Sequence, residues 1–187
     1  MDKVVLDIET KNTFQEVGGR ELDKLEVSFV GAYSYNRDQY LSFYEDEMAK
    51  LGELLKKTGL LIGFAINYFD VPVLDRYLDF NLRAIPRLDL LEEFELAAGF
   101  RISLNILAKS NLGEGKSHAS GLMAIQLYRE GKLEELKEYC LQDVKLTKDL
   151  YDLIRARQYV YIPDRFTNQP IKVPMAISED VLPATLF

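Results

Sequence analysis

Glu138-Tyr-Cys-Leu-Gln-Asp-Val144 lies at the centre of the stretch that decides the fold, residues 134–157, whose sequence has the periodicity of one long helix. Apolar or small residues recur there at helical spacing, namely Leu133, Leu136, Cys140, Thr147, Leu150 and Ile154. Asp143 falls in the same stripe, and Tyr139 precedes it by one turn, so both side chains share one patch of helix surface. A carboxylate aimed at the protein interior is costly unless it is paired or holds a metal. The pattern therefore indicates a site, with a buried aspartate that caps a loop as the simpler alternative.

Two further acids stand at the end of the first strand-like segment, Lys3-Val-Val-Leu-Asp-Ile-Glu9. Its β-branched, apolar composition predicts a central strand. Asp7 and Glu9 are two residues apart, so they lie on the same face of that strand. Neighbouring acids repel each other unless a cation lies between them. The alternative is a strand that runs out into a solvated loop, with Ile8 as its inward residue.

A fourth acid, Asp70, follows a buried strand and opens a helix that has Pro72 in its first turn. Taken alone, Asp70 reads as an N-cap worth about 1 kcal/mol. Taken with the acids of the first strand and of the long helix, it completes a set of four carboxylates at the ends of central elements. Such a set is typical of a site for hard divalent cations.

The remaining elements alternate between strand-like and helical patterns. Strands are predicted at residues 26–35, 39–44, 60–63 and 87–91, and helices at 45–58 (ended by Gly59), 71–80, 90–99, 103–109 and 120–130. Three strands followed by alternating helices and strands predict an α/β fold, a mixed sheet with helices on both faces and right-handed crossovers. We expect one domain over residues 1–157. Residues 158–187, rich in proline, form an extension with a possible hairpin of 159–162 and 171–173.

Composition narrows the class of protein. The 187 residues are 48% hydrophobic, which excludes a disordered chain, and no apolar run approaches the roughly 20 residues that cross a bilayer. The net charge of −7 argues against a broad basic surface for nucleic acid, but not against an enzyme that approaches phosphates through bound metals. The single cysteine, Cys140, excludes an internal disulfide and is expected to pack in the core. No signal peptide is visible after Met1, and we expect a cytoplasmic protein.

Together the motifs resemble those of the DEDD superfamily of 3′–5′ exonucleases. The first is Asp7-Ile-Glu-Thr10, the second runs from Gly63 to Asp70, and the third is Tyr139-Cys-Leu-Gln-Asp143. The Tyr-x-x-x-Asp spacing is that of the tyrosine subclass (DEDDy), and Glu138 occupies the position where the histidine subclass carries histidine. The resemblance spans residues 1–157. This segment is similar to the exonuclease domain of family B DNA polymerases and to stand-alone or helicase-associated bacterial domains.

The resemblance implies a ribonuclease H-like, three-layer α/β/α fold, with a mixed five-stranded sheet of order 3-2-1-4-5 and strand 2 antiparallel. It implies hydrolysis at the 3′ end of single-stranded nucleic acid, DNA favoured over RNA, by two Mg²⁺ or Mn²⁺ ions. Asp7 would bridge the ions, Glu9 and Asp143 would hold the ion on the nucleophile side, and Asp70 would hold the second through water. Tyr139 would orient the attacking water. The absence of Cys/His clusters disfavours zinc.

One departure concerns substrate contacts. Ala65 stands where the family usually carries asparagine, and Asn67 is the candidate to replace it. Thr10 is expected beside the substrate, and Phe14, Phe64 or Tyr68 could stack on a terminal base.

The segment Gly113-Glu-Gly-Lys-Ser117 invites a phosphate-loop interpretation, but Ser110 stands where that motif requires glycine. We instead expect a loop at the mouth of the site, where Lys116 meets the nucleic-acid backbone. His118, the only histidine, is expected to be a solvated loop residue.

Two other functions stay open: a catalytically weak or inactive module that binds nucleic-acid ends, and, less favoured, a metal phosphoesterase that is not a nuclease. The last residues, Leu182-Pro-Ala-Thr-Leu-Phe187, resemble peptides that dock on bacterial sliding clamps, although a tail folded onto its own core is simpler. A sliding clamp, a polymerase or a helicase is therefore a candidate partner.

Overall fold

The computed structural model describes residues 1–116 and 121–179. Within these ranges the strands are β1 (Asp2–Thr10), β2 (Val27–Ser34), β3 (Gln39–Tyr44), β4 (Thr58–Gly63), β5 (Arg87–Asp89), β6 (Tyr159–Pro163) and β7 (Pro170–Pro174). The helices are α1 (Met48–Leu55), α2 (Asp70–Leu74), α3 (Leu90–Ala98), α4 (Leu104–Leu112), α5 (Leu122–Arg129) and α6 (Leu133–Arg157). Short 3₁₀ turns lie at Leu22–Lys24, Glu45–Glu47, Asp75–Tyr77 and Leu82–Ala84.

The main sheet has five strands in the order β3-β2-β1-β4-β5. β2 runs antiparallel to both β1 and β3, whereas β1, β4 and β5 are parallel. The order and the directions are those predicted from the sequence. Because parallel strands have their carboxyl ends at the same edge, the segments that follow β1, β4 and β5 meet there.

Alternation along β1 separates two hydrophobic layers. Val4, Leu6 and Ile8 pack into a cluster with residues of α1 and α2, while Val5 packs into a second cluster with α3, α4 and α6. The sheet is therefore covered on both faces, as expected. Because side chains alternate along a strand, Asp7 and Glu9 lie on the face of Val5, which is the face that α6 covers.

Three predicted boundaries are corrected. The helix predicted to end at Gly59 ends at Leu55, because β4 already begins at Thr58, where it pairs with Asp2 of β1. The helix predicted to reach residue 80 stops as α2 at Leu74, continues as a 3₁₀ turn and becomes extended at Leu78. The fifth strand ends at Asp89, because that side chain caps α3.

The predicted hairpin is present as β6 and β7, with Val160 paired to Val173. It is held to α4 by Asn111, whose side chain donates to the carbonyl of Tyr161 (2.8 Å) and accepts from its N–H (2.7 Å). Val160 and Val173 are buried in the hydrophobic cluster that α6 also lines. The extension thus shares a core with the helical layer, and a domain boundary after residue 157 stays a prediction.

Some sequence predictions fall outside the described residues. These are the loop role of His118, the start of the helix predicted at Ser120, and the clamp-like tail Leu182–Phe187. Among the described helices, none is both long enough and apolar enough to cross a membrane.

Candidate active site

The acids predicted from the sequence line one pocket of about 210 Å³ at the carboxyl edge of the parallel strands. Asp7 and Glu9 come from β1, Asp70 is the first residue of α2 after β4, and Asp143 comes from α6. Further lining residues are Ile8, Phe64, Ala65, Phe69, Lys116, Gly121 and Tyr139. Segments far apart in sequence thus bring four carboxylates, one phenol and one ammonium group together.

The close approach of α6 to the sheet depends on Gly31 of β2, which pairs with Asp7. A Cβ at Gly31 would lie 3.0 Å from Sγ of Cys140 and 3.0 Å from Cγ2 of Val144. These distances are tighter than ordinary contacts, so a side chain at residue 31 would force Cys140 and Val144 of α6 to shift. The sequence analysis missed this residue, since its importance arises from a contact between a strand and a helix far along the chain.

Asp70 is held by β1 itself, because the N–H of Ile8 donates to Oδ1 of Asp70 at 3.0 Å. The N-cap of α2 is Phe69, without a side-chain cap, so Asp70 does not play the capping role considered from the sequence. Its carboxylate is buried and points to the strand that carries Asp7 and Glu9.

The loop between β4 and α2 is fixed by Asp89, a second residue that the sequence analysis missed. Its buried carboxylate accepts from the N–H of Ala65 (2.8 Å) and of Asn67 (3.0 Å). It also caps α3 by accepting from the N–H of Leu91 (3.0 Å) and Glu92 (3.4 Å). The spacing Asp89-Leu-Leu-Glu92 is a helix-start signal, so the cap was visible in the sequence even though the bonds to the loop were not.

The side chain of Asn67, the candidate replacement for the missing asparagine, is already engaged. Its Nδ2 donates to Glu92 at 2.6 Å, and its Oδ1 accepts from Nε of Arg87 at 2.8 Å. Ala65 lies in the acidic pocket and adopts φ of +66°, in the left-handed region that asparagine tolerates better than alanine. A substrate contact by Asn67 stays a prediction.

The loop before residue 117 brings Lys116 into the pocket. Nζ of Lys116 lies 2.5 Å from Oδ2 of Asp143. The backbone N–H of Lys116 donates to Oδ1 of Asn105 at 3.0 Å. The adjacent carbonyl of Gly115 accepts from Gln142 of α6 at 3.0 Å. These bonds fix the ammonium group among the acids.

The acids raise one another's affinity for protons. Burial, and then the charges of Asp143, Asp70 and Glu9, hold the pKa of Asp7 well above its usual range. Burial, reinforced by Asp143, raises the pKa of Glu9 to about 8. Burial also raises the pKa of Asp70 to about 7, although backbone hydrogen bonds act in the opposite direction. Such a cluster fits a divalent cation, whose charge would keep the carboxylates ionised at neutral pH.

The donor set favours a hard cation. Carboxylate oxygens of Asp7 and Glu9 and the sulfur of Cys140 lie within 4.8 Å of one another. Burial raises the pKa of the Cys140 thiol, and its Sγ lies 3.5 Å from Oδ2 of Asp7. A protonated thiol is a hydrogen-bond donor and not a thiolate ligand, which leaves oxygens as the ligands and suits Mg²⁺ or Mn²⁺.

A second cavity of about 340 Å³ shares Glu9 with the acidic pocket. Thr10, Phe14, Phe69 and Leu122 are among the residues that line it, and the rings of Phe14 and Phe69 meet edge to face at 6.0 Å. Two of the residues predicted for nucleic acid, Thr10 and Phe14, thus lie beside the acids, and a third, Phe64, lines the acidic pocket itself.

Comparison with known proteins adds two findings. The sequence matches the model of the RNase_H superfamily over residues 4–155. The fold is similar to that of a family B DNA polymerase from the hyperthermophilic archaeon Pyrobaculum calidifontis, with a TM-score of 0.65 and 17% sequence identity. That match covers 82% of this chain and 24% of the polymerase, so the likeness concerns about a quarter of the polymerase and shows the fold alone. No curated protein matches the sequence.

Proposed function

This chain belongs to the RNase_H superfamily, and from that premise we propose that it is a metal-dependent nuclease that removes nucleotides from the 3′ end of a single strand. The observation that carries the proposal is the convergence of four acids, one tyrosine and one lysine on a single small pocket. The three sequence motifs of DEDDy exonucleases supply five of these six residues, and they occur in the expected order.

Asp7, Glu9, Asp70 and Asp143 are the residues that would hold divalent cations, with Mg²⁺ or Mn²⁺ favoured by their oxygen ligands. When bound, two such cations lower the pKa of a coordinated water and stabilise negative charge on the entering and leaving oxygens of a phosphodiester. Asp70 is preorganised for its role by the bond from Ile8, and Asp143 by its position on α6.

In this proposal, Tyr139 orients the attacking water by a hydrogen bond. Burial raises the pKa of the Tyr139 phenol to about 12, so the group stays protonated at neutral pH. A protonated phenol donates a hydrogen bond and can fix the orientation of a water, but it does not accept the proton of that water as a general base. The expected consequence is that Tyr139→Phe lowers the rate and leaves the metal affinity unchanged.

Lys116 supplies positive charge to an anionic substrate. Burial lowers the pKa of its ammonium group, but the charges of Asp143 and Asp7 outweigh that effect and raise the pKa above its usual value. Lys116 therefore stays charged in the pocket. A phosphate group that enters gains a cation close to its oxygens, and the carboxylate of Asp143 is freed for a metal.

The adjoining cavity fits one nucleobase of a strand whose terminal phosphodiester lies among the acids. Phe14 is 37% exposed and offers an aromatic surface for stacking, which tolerates any base. Because Glu9 lines both cavities, the base and the reacting phosphate would be adjacent groups of one chain end. This arrangement favours a single strand over a duplex, and DNA is the favoured substrate.

The second candidate function is a nucleic-acid-end binding module with little or no hydrolysis. The pairing of Lys116 with Asp143 favours it, because that ion pair already neutralises one acid without a metal. The alanine at position 65 also removes an amide that the resemblance places near the substrate.

A single-stranded 12-mer labelled at its 5′ end tests both functions when it is incubated with Mg²⁺ or Mn²⁺. Removal of nucleotides from the 3′ end gives a descending ladder of labelled products, whereas 5′–3′ digestion releases the label at once. Binding without shortening supports the end-binding module. Asp7→Asn, which keeps the side-chain shape, should abolish the ladder; cleavage by this variant at the wild-type rate would refute the assignment. Equal hydrolysis of a small chromogenic diester would indicate a general phosphoesterase.

A further inference from the structure

A cleft of about 740 Å³ lies between the α3–α4 region and the β6–β7 hairpin, outside the acidic pocket. Its lining includes three cations, Arg101, Arg165 and Lys172, and one acid, Asp164. A groove of about 650 Å³ between α5 and α6, which Tyr139 also lines, has the opposite charge. Its lining includes three acids, Glu130, Glu135 and Glu138, and one cation, Lys132. The protein is acidic as a whole, so a polyanion that approaches the site finds a favourable charge on the hairpin side.

Both arginines of the cleft lie over an aromatic ring. Arg165 is 4.9 Å from the ring centre of Phe100, and Arg101 is 4.8 Å from that of Tyr68. Lys172 alternates with Ile171 and Val173, and its ammonium group lies 3.8 Å from the ring centre of Tyr159 on the other face of the hairpin. Arg101 also meets Glu95 at 3.7 Å. Interleaved cations and aromatic rings are the combination that binds single-stranded nucleic acid through its phosphates and bases.

Phe166 is presented at the edge of this cleft by a rigid turn. Its side chain is 96% exposed, so it contributes nothing to the core. The turn is built by Asp164, whose Oδ1 accepts from the N–H of Phe166 (2.9 Å) and from the N–H (2.7 Å) and hydroxyl (2.9 Å) of Thr167. A fully exposed phenylalanine on a fixed turn is suited to stack on an unpaired base.

Tyr68 and Phe69, which are consecutive in the chain, touch the two surfaces. Tyr68 is 55% exposed and carries Arg101 of the cleft on its ring, and Phe69 lines both the acidic pocket and the base-sized cavity.

We propose that this cleft binds the single-stranded part of the substrate that lies 5′ of the reacting end. The inference rests on the proposed nuclease function and deepens it, since it makes the substrate a strand longer than the few nucleotides that the acidic pocket and its neighbouring cavity hold. Arg101 and Arg165 contact phosphates, and Phe166 stacks on a base. A folded protein partner in the same cleft is the competing occupant.

The test measures binding of 5′-fluorescein 4-mers and 12-mers, DNA and RNA, by anisotropy with Ca²⁺ in place of Mg²⁺. The wild type should bind the 12-mer at least about tenfold more tightly than the 4-mer. R101A/R165A should lose about tenfold in affinity for the 12-mer and nothing for the 4-mer, and its salt slope should fall by about 1.4 for two lost phosphate contacts. Phe166→Ala should lose roughly tenfold for the 12-mer with an unchanged salt slope.

The matched control is R37A/K57A, which removes the same charge from exposed residues near the opposite, amino end of β1. It should bind both oligonucleotides as the wild type does. Equal 12-mer binding by R101A/R165A and the wild type would overturn the proposal that the cleft binds the strand and would leave the cleft to a protein partner, as would an equal loss in the control. Thermal unfolding midpoints of the variants should equal that of the wild type, which would show that the exposed substitutions leave the fold intact.

Cleavage of the 12-mer and the 4-mer with Mg²⁺ or Mn²⁺ separates the two proposals. If the wild type leaves both oligonucleotides intact but the cleft variants still lose 12-mer binding, the nuclease proposal fails and the cleft proposal stands. If the wild type cleaves the 12-mer and 12-mer binding is unaffected in the variants, the cleft proposal fails and the nuclease proposal stands.

Discussion

The N–H of Ile8 and the carboxylate of Asp70 are joined by a hydrogen bond of 3.0 Å, which ties the central strand to the start of α2. Ile8 lies beyond Val5, the last residue of β1 that pairs with β4. Asp70 therefore supplies an acceptor where β4 no longer provides one, and a buried backbone N–H would otherwise be unpaired. One side chain serves both the fold and the acidic pocket.

The two roles of Asp70 can be separated by a pair of substitutions. Asp70→Asn keeps an oxygen acceptor for Ile8, so its free energy of unfolding without metal should equal or exceed that of the wild type at pH 8. Asp70→Ala leaves the N–H unpaired and should cost about 1–3 kcal/mol. Both should lose nuclease activity. Urea unfolding in EDTA measures the stability, and equal stability of the two variants would show that the bond contributes nothing.

The raised carboxyl pKa values predict how stability depends on pH. The folded protein binds protons at Glu9 and Asp70 with pKa values of about 8 and about 7, whereas unfolded carboxyls titrate near pH 4. Between these limits the folded state holds more protons, so the free energy of unfolding falls as pH rises. We expect the metal-free protein to lose on the order of 6 kcal/mol between pH 5 and pH 8.5, since each unit of pKa shift corresponds to about 1.4 kcal/mol and the two groups span about five units in this range.

Thermal unfolding from pH 5 to pH 8.5 in EDTA measures this loss. Mn²⁺ should restore stability most at the alkaline end, because it binds the ionised carboxylates. The variant D7N/E9Q is the control, and its stability should depend much less on pH. A metal-free wild type that is as stable at pH 8.5 as at pH 5 contradicts the raised pKa values.

Local pattern was enough to predict the alternation of strands and helices and the acids themselves. Alternation in β1 placed Asp7 and Glu9 on one face, and the helical stripe of α6 exposed Asp143 as the one carboxylate among apolar positions. Both signals are periodic, and periodicity survives in a single sequence. The resemblance supplied the strand order.

Contacts between distant segments could not be predicted. Gly31 matters because α6 lies against it, and Asp89 because a loop more than 20 residues earlier donates to it. The helix end expected at Gly59 was wrong for a related reason, since pairing of β4 with β1 extends the strand to Thr58. In each case tertiary pairing overrode the local preference.

The close contact between Gly31 and α6 predicts that a larger residue at this position lowers both stability and metal affinity. Gly31→Ala should push α6 away from β1, costing about 1–3 kcal/mol in stability and weakening Mn²⁺ binding, because its Cβ would lie 3.0 Å from Cys140 and Val144. Gly52→Ala is the matched control: it lies within α1, and its Cβ would lie 3.6 Å from Leu78, an ordinary contact. That variant should gain about 0.5–1 kcal/mol from helix propensity. Calorimetric Mn²⁺ titration and urea unfolding measure both; unchanged Mn²⁺ affinity in Gly31→Ala would show that the depth of α6 does not set the pocket.

The conformation of Ala65 predicts that a substitution at this position can raise the free energy of unfolding. It adopts φ of +66° with its N–H bonded to Asp89, a conformation that costs an ordinary residue roughly 1–2 kcal/mol. Because asparagine tolerates this region, Ala65→Asn should raise the free energy of unfolding by about 0.5–1 kcal/mol. Ala97→Asn, on the exposed face of α3, is the control and should lower it by about 0.6 kcal/mol through helix propensity. Equal losses in the two variants would contradict the left-handed conformation.

A third variant, Ala65→Gly, separates strain from chemistry at the same position. Glycine relieves the left-handed strain but adds no amide to the acidic pocket, which residue 65 lines. If the amide contacts the substrate strand, Ala65→Asn should cleave the labelled 12-mer several-fold faster than the wild type, and Ala65→Gly should not. An equal rate gain in both variants would assign the effect to the loop conformation instead, because backbone relief is all that they share.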